Sequence, residues 1–219
     1  MKRRIGLLGG TFDPVHFGHL QLAEIALKKC DLHQVLFIPA ANPPHKSFRK
    51  ITDFQHRVNM VRMALAGKAV LRLSLLEANL PVPSYTVDTL MFLVRKYKIN
   101  EEFYFILGED AFLEIDTWKS HRKLLSLTNF IVSGRSGYSP EYFASFAQSL
   151  GYIVQRDVWY DPSRKKEIIF LPTATDDISS STVREKIKIN MSLKGLIPED
   201  VIDYIKNNNL YGFSENSTE

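Results

Sequence analysis

The chain has 219 residues, of which 45% are hydrophobic and 24% charged, and its formal net charge is +4. This composition is that of an ordinary globular protein, which excludes a disordered or fibrous chain. The small positive charge is compatible with anionic ligands in general, but it does not select nucleic acid over nucleotides, because the basic residues form no long run.

Targeting signals and disulfides are both missing from the sequence. Cys30 is the single cysteine, so no internal disulfide can form and the default setting is cytoplasmic. The first apolar stretch, 5–8, is too short for a signal peptide. No segment approaches the roughly 18 uninterrupted apolar residues of a membrane helix. We therefore expect a cytoplasmic protein with no membrane partner.

Short apolar runs alternate with longer amphipathic segments along the chain. The runs are brief and rich in β-branched or aromatic residues, which favours strands, while apolar residues three to four apart favour helices. Strands are predicted at 4–8, 35–38, 70–75, 103–107, 130–133 and 168–171. Helices are predicted at 20–29, 54–66, 85–97 and 140–150.

This alternation predicts an α/β fold with a Rossmann-like, doubly wound parallel sheet and helices on both faces. Ligands then bind beyond the carboxyl ends of the strands, so the loops after strands are expected to carry the chemistry. A small C-terminal helical addition is predicted at 179–212, where Ser179 can cap one helix and Pro198 can start another. The expected boundaries are a single domain at 1–212, a surface loop at 156–166 and a polar tail at 213–219.

The first predicted strand runs into a turn rich in glycine and histidine, with the sequence Gly9-Gly10-Thr11-Phe12-Asp13-Pro14-Val15-His16-Phe17-Gly18-His19. Glycines let backbone N–H groups approach an anion, the helix N-terminus adds partial positive charge, and Thr11 can donate its hydroxyl. His16 and His19 lie one helical turn apart and can donate to the same phosphate. The turn therefore predicts phosphate binding and stabilisation of a phosphoryl-type transition state.

Each part of this turn has an ordinary explanation when taken alone. Two glycines can serve a turn only, and two histidines can be a surface accident or half of a metal site. A zinc site needs three or four convergent ligands, and Asp13 with the two histidines leaves a fourth unsupplied. The combination of strand, double glycine, threonine and His-x-Gly-His is far more specific than its parts. It favours phosphate, and we predict no protein metal site.

This turn resembles the signature of the nucleotidylyltransferase superfamily, whose members use His-x-Gly-His to handle the phosphates of ATP. Further segments, in the same order, resemble those of the bacterial nicotinate-nucleotide adenylyltransferases of NAD synthesis, and the likeness extends over 5–211. These segments are Pro39-Ala40-Ala41-Asn42-Pro43-Pro44-His45-Lys46, His56-Arg57, Pro83-Ser84-Tyr85-Thr86, Gly108-Glu109-Asp110, Trp118 and Ile178-Ser179-Ser180-Ser181-Thr182-Val183-Arg184.

The resemblance implies transfer of AMP from ATP to nicotinate mononucleotide, giving nicotinate adenine dinucleotide and pyrophosphate, with Mg²⁺ accompanying ATP. The implied catalytic residues are His16, His19, Lys46 and Arg184. The implied ATP-binding residues are Gly9, Gly10, Thr11, His16, His19, Gly108, Asp110, Arg135, Ser180 and Arg184. The implied residues for the mononucleotide are Lys46, Tyr85, Thr86, Asp110 and Trp118.

Several of these residues also have structural explanations. Trp118 can stack on a pyridine ring or pack in the core, and Asp110 can accept from ribose hydroxyls or cap a helix. Ser84 is expected as an ordinary N-cap. The chain has Ser-Ser-Ser-Thr-Val-Arg at 179–184 where the family has Ser-Ser-Thr-x-Ile-Arg, and Gly-Glu-Asp at 108–110 where the family has Gly-Ala-Asp. The first departure leaves open which serine contacts ATP.

Other functions remain as rivals at this point. The nearest is adenylyl transfer to nicotinamide mononucleotide or phosphopantetheine, whereas 219 residues leave little room for the tRNA-binding parts of a synthetase. A nucleotide-binding regulator without turnover and a basic nucleic-acid binder come from other classes. We expect ATP and nicotinate mononucleotide as partners and no nucleic acid, and the sequence leaves a homo-oligomer open.

Overall fold

The computed structural model describes residues 2–43, 51–97, 100–134, 139–156, 158–172 and 178–213. The strands are β1 (Arg3–Gly10), β2 (Gln34–Pro39), β3 (Leu71–Leu73), β4 (Glu101–Gly108), β5 (Asn129–Ser133), β6 (Ile153–Gln155), β7 (Val158–Asp161) and β8 (Lys166–Leu171). They form one sheet in the order β3-β2-β1-β4-β5-β8-β7-β6. The first six strands in this order, which are β3, β2, β1, β4, β5 and β8, pair in parallel. β7 pairs antiparallel with β8, and β6 pairs antiparallel with β7.

Helices connect the strands and cover the sheet. They are α1 (Phe17–Lys29), α2 (Phe54–Ala64), α3 (Thr86–Lys96), α4 (Glu109–Phe112), α5 (His121–Leu127), α6 (Pro140–Ser149), α7 (Ser180–Lys188) and α8 (Glu199–Asn207). Short 3₁₀ turns occupy Leu76–Asn79, Ile115–Thr117 and Leu210–Gly212. The predicted strands and the four long predicted helices all exist, with ends that differ by a few residues.

The central strands are apolar on both sides because both faces of the sheet are covered. All five residues of β5 are buried, as are 5–8 in β1. One face packs against α1, α2, α7 and α8, with Ala23, Val61, Val183 and Val201 in a single cluster. The opposite face packs against α3, α5 and α6. The expected Rossmann-like, doubly wound fold with a C-terminal helical addition is confirmed.

The C-terminal helices begin much as their sequence predicts. Ser179 is the N-cap of α7, and its Oγ accepts from the backbone N–H of Thr182 at 3.1 Å. Pro198 is the N-cap of α8. Phe213, which the sequence assigns to the tail, packs partly against the cluster that contains α8.

The predicted surface loop at 156–166 is wrong, because Val158–Asp161 forms β7 and pairs with β8. Its strand signal is weak in sequence because Val158, Trp159 and Tyr160 are all only half-buried, so no inward–outward alternation develops. The turn to β8 is fixed by a carboxylate. Asp161 Oδ1 accepts from the backbone N–H of Ser163 at 2.8 Å and from its hydroxyl at 2.7 Å, and Arg164 Nε donates to Asp161 Oδ2.

Within the described part of the chain, no helix has the length and apolar character that crossing a bilayer requires.

Candidate active site

The strand order reverses between β1 and β4, and the two loops that follow these strands lie side by side. Leu8 pairs with Ile106, so Gly10 and Gly108, two residues further along each strand, reach the same edge of the sheet. A pocket of about 360 Å³ opens at this edge. Its volume lies in the range of small-molecule sites, and its position is where doubly wound sheets bind ligands.

The histidine turn is built around a close stack of two rings. His16 is the buried N-cap of α1, and its ring centroid lies 3.6 Å from that of His19. His19 Nδ1 accepts from the backbone N–H of His16 at 3.2 Å, which places the proton of a neutral His19 ring on Nε2. A Cβ on Gly18 would lie 3.1 Å from His16 Nδ1. The glycine of His-x-Gly-His therefore makes room for the first histidine ring.

Phe12 gives this turn its shape. Its φ of 49° lies in the left-handed region that a bulky residue rarely occupies. The ring is buried and packs edge-on against His19, with centroids 4.9 Å apart. The strained residue thus places its ring against His19 and helps to fix the position of that imidazole.

The C-terminal helices are tied to the histidine turn by hydrogen bonds. Ser180 Oγ donates to the carbonyl of Pro14 at 2.9 Å, and Arg184 Nη1 donates to the carbonyl of Asp13 at 2.6 Å. Tyr211, beyond α8, donates its hydroxyl to Asp13 Oδ1 at 2.7 Å. Ser180 and Arg184, predicted from sequence as ATP ligands, therefore lie beside the turn that carries His16.

Arg57 is an almost fully buried cation that connects three loops. Its guanidinium donates to the carbonyls of Thr11, Ala40 and Thr52, each at 2.8 Å. Burial lowers the pKa of Arg57, and the nearby Asp13 carboxylate opposes that effect. The sequence analysis assigned Arg57 no role. Its signals in sequence are the His56-Arg57 segment, which belongs to the family resemblance, and the place of a basic residue on the apolar face of α2.

The start of α3 forms one wall of the pocket. Tyr85 is the N-cap and Thr86 is the first helical residue, and both line the pocket. The expected N-cap role of Ser84 is wrong, because its Oγ instead accepts from the backbone N–H of Asn42 at 3.0 Å. Ser84 N–H donates back to the Asn42 carbonyl at 2.9 Å. These reciprocal bonds hold the α3 wall against the loop after β2.

Trp118 forms the facing wall. It is half-buried, its ring meets that of Phe105 edge-on with centroids 6.3 Å apart, and it lines the pocket. The next residue, Lys119, also lines the pocket, and its Nζ lies 4.1 Å above the ring of Tyr85 and 3.0 Å from Asp88 Oδ2. An aromatic surface, a helix N-terminus and an ammonium group therefore converge on one cavity.

Glu77 is a buried carboxyl group in the same wall, and the sequence analysis did not identify it. Thr89 Oγ1 donates to Glu77 Oε1 at 2.9 Å. Burial raises the pKa of Glu77, and the Thr89 hydrogen bond partly offsets this rise. The residue sits in a 3₁₀ turn with no sequence pattern around it, so only the tertiary structure brings it to the pocket.

The remaining predicted residues are placed as follows. Gly9, Gly10 and Thr11 line the pocket. Gly108 ends β4, and Asp110 is the second residue of α4, which begins at Glu109. Lys46 and Arg135 lie outside the described residues. No group of three or more histidine, cysteine, aspartate or glutamate side chains suited to a metal ion occurs among the residues that the structure describes.

Comparison with known proteins gives consistent matches. Residues 7–186 match the cytidylyltransferase-like family. A curated protein of Desulfotalea psychrophila named "Probable nicotinate-nucleotide adenylyltransferase" is 42% identical over 211 residues, covering 95% of this chain and 100% of that protein. A protein of the same name from Clostridium novyi is 39% identical, covering 96% of this chain and 100% of that protein.

A solved structure agrees in fold. The Plasmodium falciparum nicotinic acid mononucleotide adenylyltransferase complexed with NaAD superposes with a TM-score of 0.75 at 24% identity, covering 97% of this chain and 98% of that one. The family match spans most of the chain, and the curated relatives align over almost all of it. The chain therefore belongs to the cytidylyltransferase-like family and, within it, to the nicotinate-nucleotide adenylyltransferases.

Proposed function

We propose that this protein transfers the adenylyl group of ATP to the phosphate of nicotinate mononucleotide, forming nicotinate adenine dinucleotide and releasing pyrophosphate. The observation that carries the proposal is a single cavity at the edge of the sheet. Tyr85 and Trp118 line this cavity together with Gly9, Gly10 and Thr11 of the histidine turn. Family membership and the curated relatives support the same activity.

Nicotinate fits the cavity by chemistry. Its pyridine ring would lie on the Trp118 indole, which offers a flat apolar surface. Its carboxylate would face the first backbone N–H groups of α3 at Tyr85 and Thr86, where the helix dipole favours negative charge. Lys119 lines the same cavity, and Asp88 pairs with its ammonium group at 3.0 Å. The preference for the nicotinate form over the nicotinamide form, which has no charge to place there, therefore depends on the helix N-terminus.

ATP would lie on the other side of Gly10, with its phosphates against the histidine turn. Gly9, Gly10 and Thr11 would offer backbone N–H groups and a hydroxyl, and His19 would donate from Nε2. Further contacts are assigned to His16, Gly108, Asp110, Ser180 and Arg184, and, outside the described residues, to Lys46 and Arg135. In the present structure Arg184 donates to a carbonyl of the turn itself, so binding would exchange that bond for one to phosphate.

The reaction needs positioning and charge stabilisation more than proton transfer. An oxygen of the mononucleotide phosphate attacks the α-phosphorus of ATP, and the bond from that phosphorus to the bridging oxygen breaks as pyrophosphate leaves. The attacking phosphate is already anionic, so no general base is required. Hydrogen-bond donors on His16, His19 and Arg184 would stabilise the charge that develops on the phosphoryl oxygens.

Mg²⁺ is proposed to accompany ATP. Mg²⁺ bound with a nucleotide keeps several water ligands and is held largely by phosphate oxygens, so the proposal requires no dedicated protein site. When bound, the ion supplies charge neutralisation between the phosphates. We also propose that the protein acts in the cytoplasm on small molecules rather than on nucleic acid.

Pyrophosphate release with ATP and Mg²⁺ tests the proposal when kcat/KM is compared for nicotinate mononucleotide, nicotinamide mononucleotide and phosphopantetheine. Reactions without an acceptor measure background hydrolysis. A clear preference for the nicotinate form is the expected result. A preference for the nicotinamide form would refute the assignment of the carboxylate subsite while leaving adenylyl transfer intact. ATP binding without release of pyrophosphate from ATP in the presence of any of the three acceptors would point to a regulator and overturn the proposal.

A further inference from the structure

The segment that follows α8 returns to the histidine turn and contacts it through one side chain. Tyr211, in the 3₁₀ turn Leu210–Gly212, donates its hydroxyl to Asp13 Oδ1 at 2.7 Å. The same hydroxyl lies 3.9 Å from Met60 Sδ of α2. Tyr211 therefore links the C-terminal part of the chain to the turn that carries His16.

The backbone at Tyr211 is strained. Its φ is 61°, in the left-handed region that a bulky side chain rarely adopts, whereas Asn209, with a φ of 49°, is of a type that tolerates this region. Such outliers persist where the surrounding structure fixes them, and they are concentrated at functional sites. The contacts that fix Tyr211 are its bond to the buried Asp13 and its packing against the core cluster of α7 and α8.

The Asp13 carboxylate depends on few hydrogen bonds, because it is only 7% exposed. Its Oδ1 accepts from the Tyr211 hydroxyl, and its Oδ2 accepts from the backbone N–H of Thr52 at a longer 3.4 Å. Burial and the neighbouring Asp13 carboxylate raise the pKa of Tyr211, so the phenol keeps its proton and remains a donor at neutral pH. Loss of this donor would leave a buried acceptor unsatisfied, which is unfavourable.

ATP binding would remove other bonds that hold this turn. In the present structure the Asp13 carbonyl accepts from Arg184 Nη1, and the Pro14 carbonyl accepts from Ser180 Oγ. Both donors are proposed ligands of ATP, so this step of the argument rests on the proposed function. Among the described residues, Tyr211 is then the side-chain donor that remains at Asp13 once Arg184 has turned to phosphate.

We propose that Tyr211 is a positioning residue for adenylyl transfer, whose hydroxyl holds Asp13, and with it the histidine turn, in place while Arg184 binds ATP. Tyr211 acts through Asp13 and makes no contact with substrate in this proposal. Its importance follows from the chemistry, because donors that stabilise a phosphoryl transition state are effective only when they are held in position beforehand.

Tyr211→Phe removes the hydroxyl and keeps the ring. We expect kcat to fall at least about tenfold with KM nearly unchanged for both substrates, because displacement of a catalytic group by about 1 Å costs up to about 10²-fold in rate. Tyr204→Phe is the matched control, since Tyr204 is also half-buried and its hydroxyl lies 2.9 Å from both His56 Nδ1 and Asn59 Nδ2 of α2. The control should lower Tm and leave kcat unchanged. A wild-type kcat in Tyr211→Phe, or an equal fall in both variants, would overturn the proposal.

The imidazole signals of His16 and His19 report on the turn without any turnover. Wild type, Tyr211→Phe and Tyr204→Phe, each with ¹⁵N-labelled histidine, are compared by NMR in the free state and saturated with α,β-methylene-ATP, whose α–β linkage cannot be cleaved. We expect the Tyr211→Phe signals to depart from those of wild type mainly in the bound state, and the Tyr204→Phe signals to agree in both states. Identical bound-state signals in wild type and Tyr211→Phe would refute this inference alone. Failure of the wild type to bind the analogue would refute the proposed function, and with it the premise of the inference.

Discussion

Adjacent residues of the His-x-Gly-His segment meet separate demands. Gly18 is required by packing, since a Cβ there would press on the His16 ring, whereas the histidines are proposed to act on phosphate. Asp13, in the same turn, connects it to the C-terminal part of the chain. Its carboxylate accepts a hydrogen bond from Tyr211, and its carbonyl accepts one from Arg184. A change at a single position in this turn can therefore alter chemistry, packing or both, and the measurement has to distinguish them.

Replacement of His19 by alanine should lower kcat by roughly 10²-fold or more, the scale for losing one transition-state donor. The ring is half-buried, so the fold should tolerate the change. The measurement is steady-state pyrophosphate release, with thermal unfolding as a check on folding. Near-wild-type turnover in a folded variant would remove His19 from the catalytic assignment.

Trp118→Ala should raise KM for nicotinate mononucleotide and leave KM for ATP nearly unchanged, because the indole lines the cavity proposed for the pyridine ring. Trp159→Ala is the matched control: this β7 ring packs against Phe143 of α6, with centroids 6.0 Å apart, so its loss should affect stability alone. Steady-state kinetics with each substrate varied in turn separates the two effects. Unchanged KM with a lower Tm in Trp118→Ala would make this tryptophan a packing residue.

At the scale of elements, the hairpin of β7 and β8 depends on one ionised turn residue. Burial pushes the pKa of Asp161 upward, but hydrogen bonds from Ser163 and Arg164 outweigh it and hold this pKa below its ordinary value. A carboxyl group with a lowered pKa stabilises the fold above its unfolded pKa of about 3.9. That contribution is lost as the pH falls below this value and through the folded pKa.

Asp161→Asn should therefore lower the free energy of unfolding by about 1–3 kcal/mol at pH 7, the scale for hydrogen bonds to a charged group. The difference from wild type should shrink below about pH 3.9, because Asp161 of the unfolded chain binds a proton first and the native carboxylate follows at a lower pH. Urea unfolding of both proteins at several pH values measures this difference in the free energy of unfolding. Asp116→Asn changes an exposed carboxylate and serves as the control. A difference that stays constant down to pH 2 would exclude the charge as its cause.

At the scale of the whole molecule, the C-terminal helices are part of the main core. Val183 and Ile187 of α7 and Val201 and Ile205 of α8 are buried in the same cluster as Leu8 of β1. Each buried aliphatic side chain contributes about 1.5–3 kcal/mol, while a typical domain is stable by only about 5–15 kcal/mol. We infer that 1–212 fold as one domain, as the sequence analysis expects.

A chain ending at residue 177 should accordingly show no cooperative thermal transition, whereas a chain ending at residue 213 should unfold in a single transition at the wild-type Tm. Scanning calorimetry of both truncations and of the full chain measures this. A cooperative transition in the shorter chain would mean that the C-terminal helices are a separate unit.

The fold class and the position of the histidine turn at the C-terminal edge of the sheet could both be predicted from the sequence because their signals are local. Strand and helix periodicity predicts the elements, and a strand followed by glycines and the N-terminus of a helix favours anion binding, which is the role proposed for this turn. The candidate residues Tyr85, Trp118 and Ser180 could be named only through family resemblance. Single side chains of these types have ordinary packing or capping roles in most proteins.

The tertiary structure alone decided the features that join distant parts of the chain. Tyr211 and Asp13 are 198 positions apart in sequence, and Arg4 and Glu167 are 163 apart. Arg57 bridges three loops, and Glu77 lines the cavity between β1 and β4 from a 3₁₀ turn that has no distinctive sequence pattern. No local pattern encodes such contacts, because the order and register of the strands decide which loops lie side by side at each edge of the sheet. For that reason the sequence by itself determined the fold class and the place of the histidine turn, whereas the tertiary structure decided which side chains wall the cavity and that β7 pairs with β8.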